Sequence, residues 1–295
     1  MTQGAILSLL SAICYGAMAV MAKAAYAMGM DAWQMLLCRF VFGVALMGGW
    51  LALRDPSAFR IAPKKLAAVG LVGMFLYTTQ SWCYFSSIKY ISPSTTTLIL
   101  YAYPAVVTLL SVPFLKLRLT RPLVFSLLAV SAGCALVFSD AFARGADPRG
   151  LALASGGMAV FSCYLLLCQV VMRGLRPMTA TFYMILSTGL GFSLVHPPTA
   201  LLDLSAPQLI MGAALGLVPT ALAVSLLFAA IERVGSAYAS VFSSFEPVAT
   251  IVFAAVFLGD PVIPWQIGGT LLILAGIALP NLAAWRQARA VRSAP

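Results

Sequence analysis

The chain has 295 residues, of which 62% are hydrophobic and only 9% charged, with a net charge of +10. This composition excludes an ordinary soluble globular domain and describes a polytopic membrane protein. The basic surplus does not signal nucleic acid, because it falls between apolar stretches rather than on one face of a folded domain.

A membrane crossing needs about 20 mostly apolar residues. Ten such stretches are predicted, over residues 4–28, 33–53, 65–86, 93–115, 121–139, 149–172, 178–196, 207–230, 236–258 and 264–285. Too little chain remains between them for a soluble domain, so any chemistry must sit within an all-α bundle. Ala25-Tyr26-Ala27 resembles a signal-peptide cleavage site, but the run before it is too long for a signal core and carries no basic residue. The first stretch is therefore expected to remain as a helix. With the N-terminus in the cytoplasm, Arg54, Arg60, Lys64, Lys65, Lys116, Arg118, Arg121, Arg173, Arg176, Arg233, Arg286, Arg289 and Arg292 fall inside; only Lys23, Lys89, Arg144 and Arg149 fall outside. That bias predicts cytoplasmic termini in an inner, or cytoplasmic, membrane.

The chain repeats itself. A shift of 143 positions carries Gly73 onto Gly216, Pro104 onto Pro247 and SAGCAL (131–136) onto LAGIAL (274–279). Nearer the start, a shift of 146 carries Gly4 onto Gly150 and Tyr15-Gly16 onto Phe161-Ser162. Two units are expected, residues 1–145 and 146–295, joined at DAFARGADPRG (140–150). Five spans is an odd number, so the second unit enters the bilayer from the opposite side. Inverted repeats of this kind mark secondary transporters, with the substrate site near the midplane where the repeats meet.

The candidate site follows from residues that are costly in hydrocarbon. A proline within a helix costs about 3 kcal/mol and leaves a carbonyl without its donor. Pro104 and Pro247, at matching places in the fourth and ninth stretches, predict paired helix breaks around a shared cavity. Glu246 is the only acidic residue well inside a stretch, so it must face water, meet a base or carry a proton, and it is the candidate for proton coupling. Tyr77, Gln80, Ser81 and Tyr84 share one helical face, as do Thr97, Tyr101, Pro104 and Thr108. Tyr103 precedes the first break as Glu246 precedes the second, with Ser243 one turn before Glu246. These residues either line a cavity or bond between helices. Arg39, about two turns into the second stretch, is placed to meet a substrate carboxylate or Glu246 itself. Gln169 offers a neutral polar group opposite Lys23 in the other half.

With ten spans in two fivefold repeats, Cys38-Arg39-Phe40, Tyr103-Pro104, Phe245-Glu246-Pro247 and Leu258-Gly259-Asp260, the sequence resembles EamA-type members of the drug/metabolite transporter superfamily. Tyr15 and Phe161 stand where that family often has a tryptophan. The resemblance implies a central cavity between spans 1–4 and 6–9, peripheral spans 5 and 10, alternating access, and export of amino acids or related metabolites. The expected substrate is a small organic metabolite, favouring an amino acid or an aromatic, amphipathic relative. The proton is a candidate co-substrate, and the assembly a monomer or homodimer. The rival within the class is efflux of a hydrophobic cation coupled to protonation of Glu246.

Other classes fit less well. The single histidine, His196, sits beside Pro197-Pro198 at a span end, and no metal-binding, serine-nucleophile or nucleotide-loop motif occurs, so neither an enzyme nor an ATP-driven pump is expected. No cofactor or metal site is predicted. The six cysteines lie within spans without ligand spacing and read as packing residues. A channel is disfavoured by the repeat and by the lack of a charged ring.

Overall fold

The computed structural model describes residues 2–87, 90–91, 93–137, 147–195, 198–259 and 262–292. Most of the joint at 140–150 lies outside them, as do Lys89, His196, Pro197 and Asp260. The described residues are helical with no strand. In chain order the α-helices are α1 (Thr2–Ala27), α2 (Ala32–Arg54), α3 (Pro63–Leu71), α4 (Thr78–Ser87), α5 (Pro93–Leu100), α6 (Tyr103–Leu115), α7 (Arg121–Val137), α8 (Pro148–Val171), α9 (Pro177–Val195), α10 (Ala206–Gly216), α11 (Ala223–Ser243), α12 (Glu246–Leu258) and α13 (Pro264–Arg292). Among the described residues, six helical runs are long and apolar enough to cross a membrane. Large apolar side chains such as Leu53, Phe114, Ile210 and Phe257 point outward, as lipid contact requires.

Local chemistry sets the boundaries. Asp31 caps α2 by accepting from the Gln34 N–H, while the Gln34 side chain accepts from the Asp31 N–H; Ser205 and Gln208 form the same reciprocal box before α10. α11 contains a break: Gly235 has φ +80°, a conformation that L side chains rarely adopt, and the chain turns there between two helical arms. The first arm therefore extends to Val234, past the expected end of the eighth stretch at residue 230.

The halves embrace one another reciprocally. α1 packs on α11 and α12, while α8 packs on α4, α5 and α6. Ser11 donates to the Ala223 carbonyl at 2.7 Å along the first of these seams. α7 and α13 pair with each other and touch the remaining bundle little. Gly133 and Gly269 let their backbones approach closely, and Ser126 donates to the Gly276 carbonyl across the pair. The two helices run antiparallel, so Gly133 of SAGCAL meets Ile273, and Gly276 of LAGIAL meets Val130.

The third helical run of each half contains a π-helical segment, Val72–Tyr77 between α3 and α4 and Leu217–Leu222 between α10 and α11. Neither was expected from hydropathy, although Pro219 was a visible signal. α2 packs against the second segment and α9 against the first. The second helix of each half therefore reads the widened turn of the other.

Candidate functional site

A cavity of about 110 Å³ lies between the halves, where the fourth and ninth helical runs are interrupted. α5 ends at Leu100, the chain turns through Tyr101 and Ala102, and α6 resumes at Tyr103 with Pro104 in its first turn. In the other half α11 ends at Ser243, the chain turns through Ser244 and Phe245, and α12 resumes at Glu246 with Pro247 in its first turn. The two interruptions correspond residue for residue under the 143 shift. Proline is tolerated at these places because a first-turn N–H has no intrahelical acceptor.

The interruption brings both Tyr101 and Tyr103 to the cavity. Residues two apart on an unbroken helix point to opposite sides, but the turn at Tyr101–Ala102 resets the phase. Tyr77, Gln80, Ser81 and Tyr84 also line the cavity, together with Arg39, Ser243 and Glu246. Pro104 and Pro247 are buried behind this lining and shape it. Thr108, grouped with Tyr101 on one expected face, is fully buried and does not line the cavity. The helix break puts it on a different register.

Gln169 also departs from the expected set. It does not reach the central cavity; its Oε1 accepts from the Ser236 N–H at 2.6 Å and the Ser236 hydroxyl at 2.7 Å. The turn at Gly235 starts a new helical arm at Ser236, and the Gln169 amide satisfies one of its free N–H groups. The expectation of Gln169 as a cavity residue is corrected by that capping role.

The two charges are held differently. Arg39 is only 5% exposed. Its Nε donates to Thr220 Oγ1 at 2.7 Å, and its Nη2 donates to the Tyr77 hydroxyl at 3.1 Å and the Pro219 carbonyl at 3.2 Å. Such neutral acceptors offset the loss of water around the guanidinium without removing its charge. Glu246 is the first residue of α12, at the positive end of the helix dipole, and shares the cavity wall with Tyr101. Among the described residues no ion pair joins Glu246 to Arg39. Both remain at the cavity wall.

The wall between them is aromatic. Tyr103 meets Phe161 edge-on at 5.0 Å, Phe161 stacks with Tyr164 at 5.8 Å, and Tyr164 stacks with Tyr77 at 5.0 Å. Tyr15 and Phe161, paired by the 146 shift, both line the cavity although neither was chosen as a site residue. Thr97 lines it too and is bonded to the Tyr84 hydroxyl at 2.9 Å. The Ser243 hydroxyl is buried without a hydrogen-bond partner and lines the same space.

Reciprocal contacts tie the halves together at either end of the bundle. Lys65, in the first turn of α3, donates to the Val171 and Arg173 carbonyls at the end of α8, at 3.0 and 2.8 Å. Gln208, its counterpart under the 143 shift, donates to the Met28 carbonyl just past α1 at 2.9 Å. At the Lys65 end, Arg176 also pairs with Asp55 and donates to Ser57. The Ser57 hydroxyl is the main cause that holds the Asp55 carboxyl below its ordinary pKa; desolvation opposes it, and Arg176 adds to the lowering.

A helical membrane bundle with a polar-aromatic cavity between two repeats defines a membrane transporter of small molecules. The chain belongs to the EamA-like transporter family, which matches residues 2–139 and 148–282. Members of this family are transporters rather than enzymes. A solved crystal structure, 20% identical in sequence, superposes with a TM-score of 0.81 over 97% of this chain and 99% of its own; at that identity the likeness concerns the fold alone. No match to a curated protein was found.

Proposed function

We propose that this chain is a secondary transporter of a zwitterionic, aromatic or amphipathic amino acid, working by alternating access. Its ten crossings form two inverted units, residues 1–145 and 146–295, with both termini on the cytoplasmic side of the cytoplasmic membrane. The positive-inside bias supports that orientation. The family resemblance favours export. Arg39 takes the substrate carboxylate, Glu246 the ammonium group, and the tyrosine and phenylalanine wall the side chain.

The observation carrying this reading is that one cavity bears both Arg39 and Glu246, with an aromatic wall beside them. A hydrophobic cation would gain from Glu246 but meet the unneutralised Arg39, whereas a zwitterion satisfies both. Tyr84, Gln80, Ser81 and Ser243 supply polar contacts around the same space. Glu246 is also the group proposed to exchange a proton with substrate, because a carboxylate in low dielectric is stable only when paired or protonated.

The test is ligand-induced thermal stabilisation of the purified protein across amino acids, their amides and hydrophobic amines, since a ligand favouring the folded state raises its stability. Aromatic amino acids should stabilise it and matched amines should not. Stabilisation by hydrophobic amines alone would reverse the assignment.

A further inference from the structure

Arg39 owes its place to an irregularity in the facing helix. Pro219 brings no N–H, so the Leu215 carbonyl loses its ordinary helical donor. The Thr220 hydroxyl supplies one, donating to that carbonyl at 2.9 Å across the π-helical turn. A hydroxyl has one proton and two lone pairs. With the proton committed to Leu215, the oxygen presents lone pairs only, and Arg39 Nε donates to it at 2.7 Å. The same turn directs the Pro219 carbonyl at Nη2.

These contacts fix one side of a rigid fork and leave Nη1 without a hydrogen-bond partner among the described residues. Arg39 lines the cavity, so its uncommitted donors are available to a bound molecule. A carboxylate presents acceptors to them, whereas a carboxamide can turn a donor toward a donor. The first half has the same five-residue reach, from the Thr78 hydroxyl to the Gly73 carbonyl at 3.3 Å, but there α9 brings only Thr188, 3.1 Å from the same carbonyl. The reach recurs one position out of register, with Leu76 where the second half has Pro219, and there it holds no cation.

We propose that Thr220 is the positioning residue for carboxylate recognition: its hydroxyl, bridging Leu215 and Arg39, holds the guanidinium so that its free edge receives the carboxylate of an amino acid substrate. This rests on the reading of Arg39 given above. Thr220 acts through Arg39 and need not touch the substrate.

The experiment measures affinity of the full chain for L-phenylalanine and L-phenylalaninamide in Thr220→Val, Thr220→Ser, Arg39→Gln and the Arg39→Gln/Thr220→Val double variant, with apo stability followed in parallel. Thr220→Val should weaken phenylalanine binding about ten-fold while leaving the amide within about two-fold, and Thr220→Ser should restore the wild-type ratio. The double variant should be no worse than Arg39→Gln alone, because the two residues act as one unit. Equal loss of both probes in Thr220→Val, full additivity in the double variant, or unchanged binding in Thr220→Val would overturn the inference and leave Arg39 as an anchor. Should Thr220→Val fail to fold, Thr220→Ala takes its place under the same criteria. Wild-type binding by Arg39→Gln, or no phenylalanine binding by the wild type, removes the functional reading itself and the inference with it.

Discussion

The third helical runs of the two halves share a backbone plan and differ in what they hold. Each starts with a side chain that grips the end of the other half's first helix, and each widens into a π turn with a threonine bridging five residues back. In the second half that threonine accepts from Arg39; in the first the Gly73 carbonyl, one position out of register, meets the uncharged Thr188. Lys65 grips two carbonyls, Gln208 one. The two repeats share a frame, and a few polar residues that differ between them set its charge pattern.

The largest effect should come from breaking the charged copy. Arg39→Ala is expected to weaken phenylalanine binding by about a hundred-fold or more, as loss of a charge-assisted contact in a dry site implies. Thr188→Val, in the uncharged copy, should change it by less than about two-fold. Calorimetry on both variants compares them directly.

Next come the two helix starts. Glu246→Gln retains shape and removes charge, so a pH gradient should no longer drive uptake into proteoliposomes while substrate exchange persists at reduced rate. Its counterpart Tyr103→Phe should keep the response to the gradient and lower affinity by about three-fold. Retained pH driving in Glu246→Gln would remove the carboxylate from coupling.

A smaller effect is expected at the ends of the bundle. Lys65→Gln makes the Lys65 end resemble the Gln208 end and should loosen it. Cys168, fully buried on α8 near that end, reports the change: in a background retaining only this cysteine, maleimide labelling should rise about three-fold. Gln208→Lys should leave that labelling unchanged or lower it.

The smallest concerns Asp55. Because its pKa is lowered in the folded chain, its contact with Ser57 and Arg176 contributes fully above the ordinary aspartate value, about 3.9. The contribution disappears as pH falls through the lowered value. The difference in melting temperature between wild type and Asp55→Asn should therefore be constant above about pH 5 and shrink below about pH 4.

Much of the frame was legible because lipid imposes a strict code. Long apolar runs located the helices, and Pro104 and Pro247 located the interruptions, since proline carries its backbone consequence in its own covalent structure. Gln80, Ser81 and Tyr84 could be grouped because α4 is regular where they lie, and Tyr77, the last residue of the π segment, joins them at the cavity. Thr108 shares the expected face but packs in the interior rather than lining the cavity, because the break at Tyr101–Ala102 shifts the helical phase. Gln169 was misjudged because sequence alignment of the halves paired it with Lys23 while the turn at Gly235 gave it a helix end to cap. The π turns leave almost no mark on hydropathy: one extra residue in a turn changes which carbonyls are free, not how apolar the run is. Pro219 was the one residue that announced such a turn.

The central claim is a zwitterion site shared by two repeats, and counterflow tests it most directly. Proteoliposomes loaded with unlabelled phenylalanine should take up labelled phenylalanine with saturable kinetics, and Arg39→Ala should abolish that exchange in protein that remains folded. Flux that rises without saturation, or equal exchange by wild type and Arg39→Ala, would contradict the account.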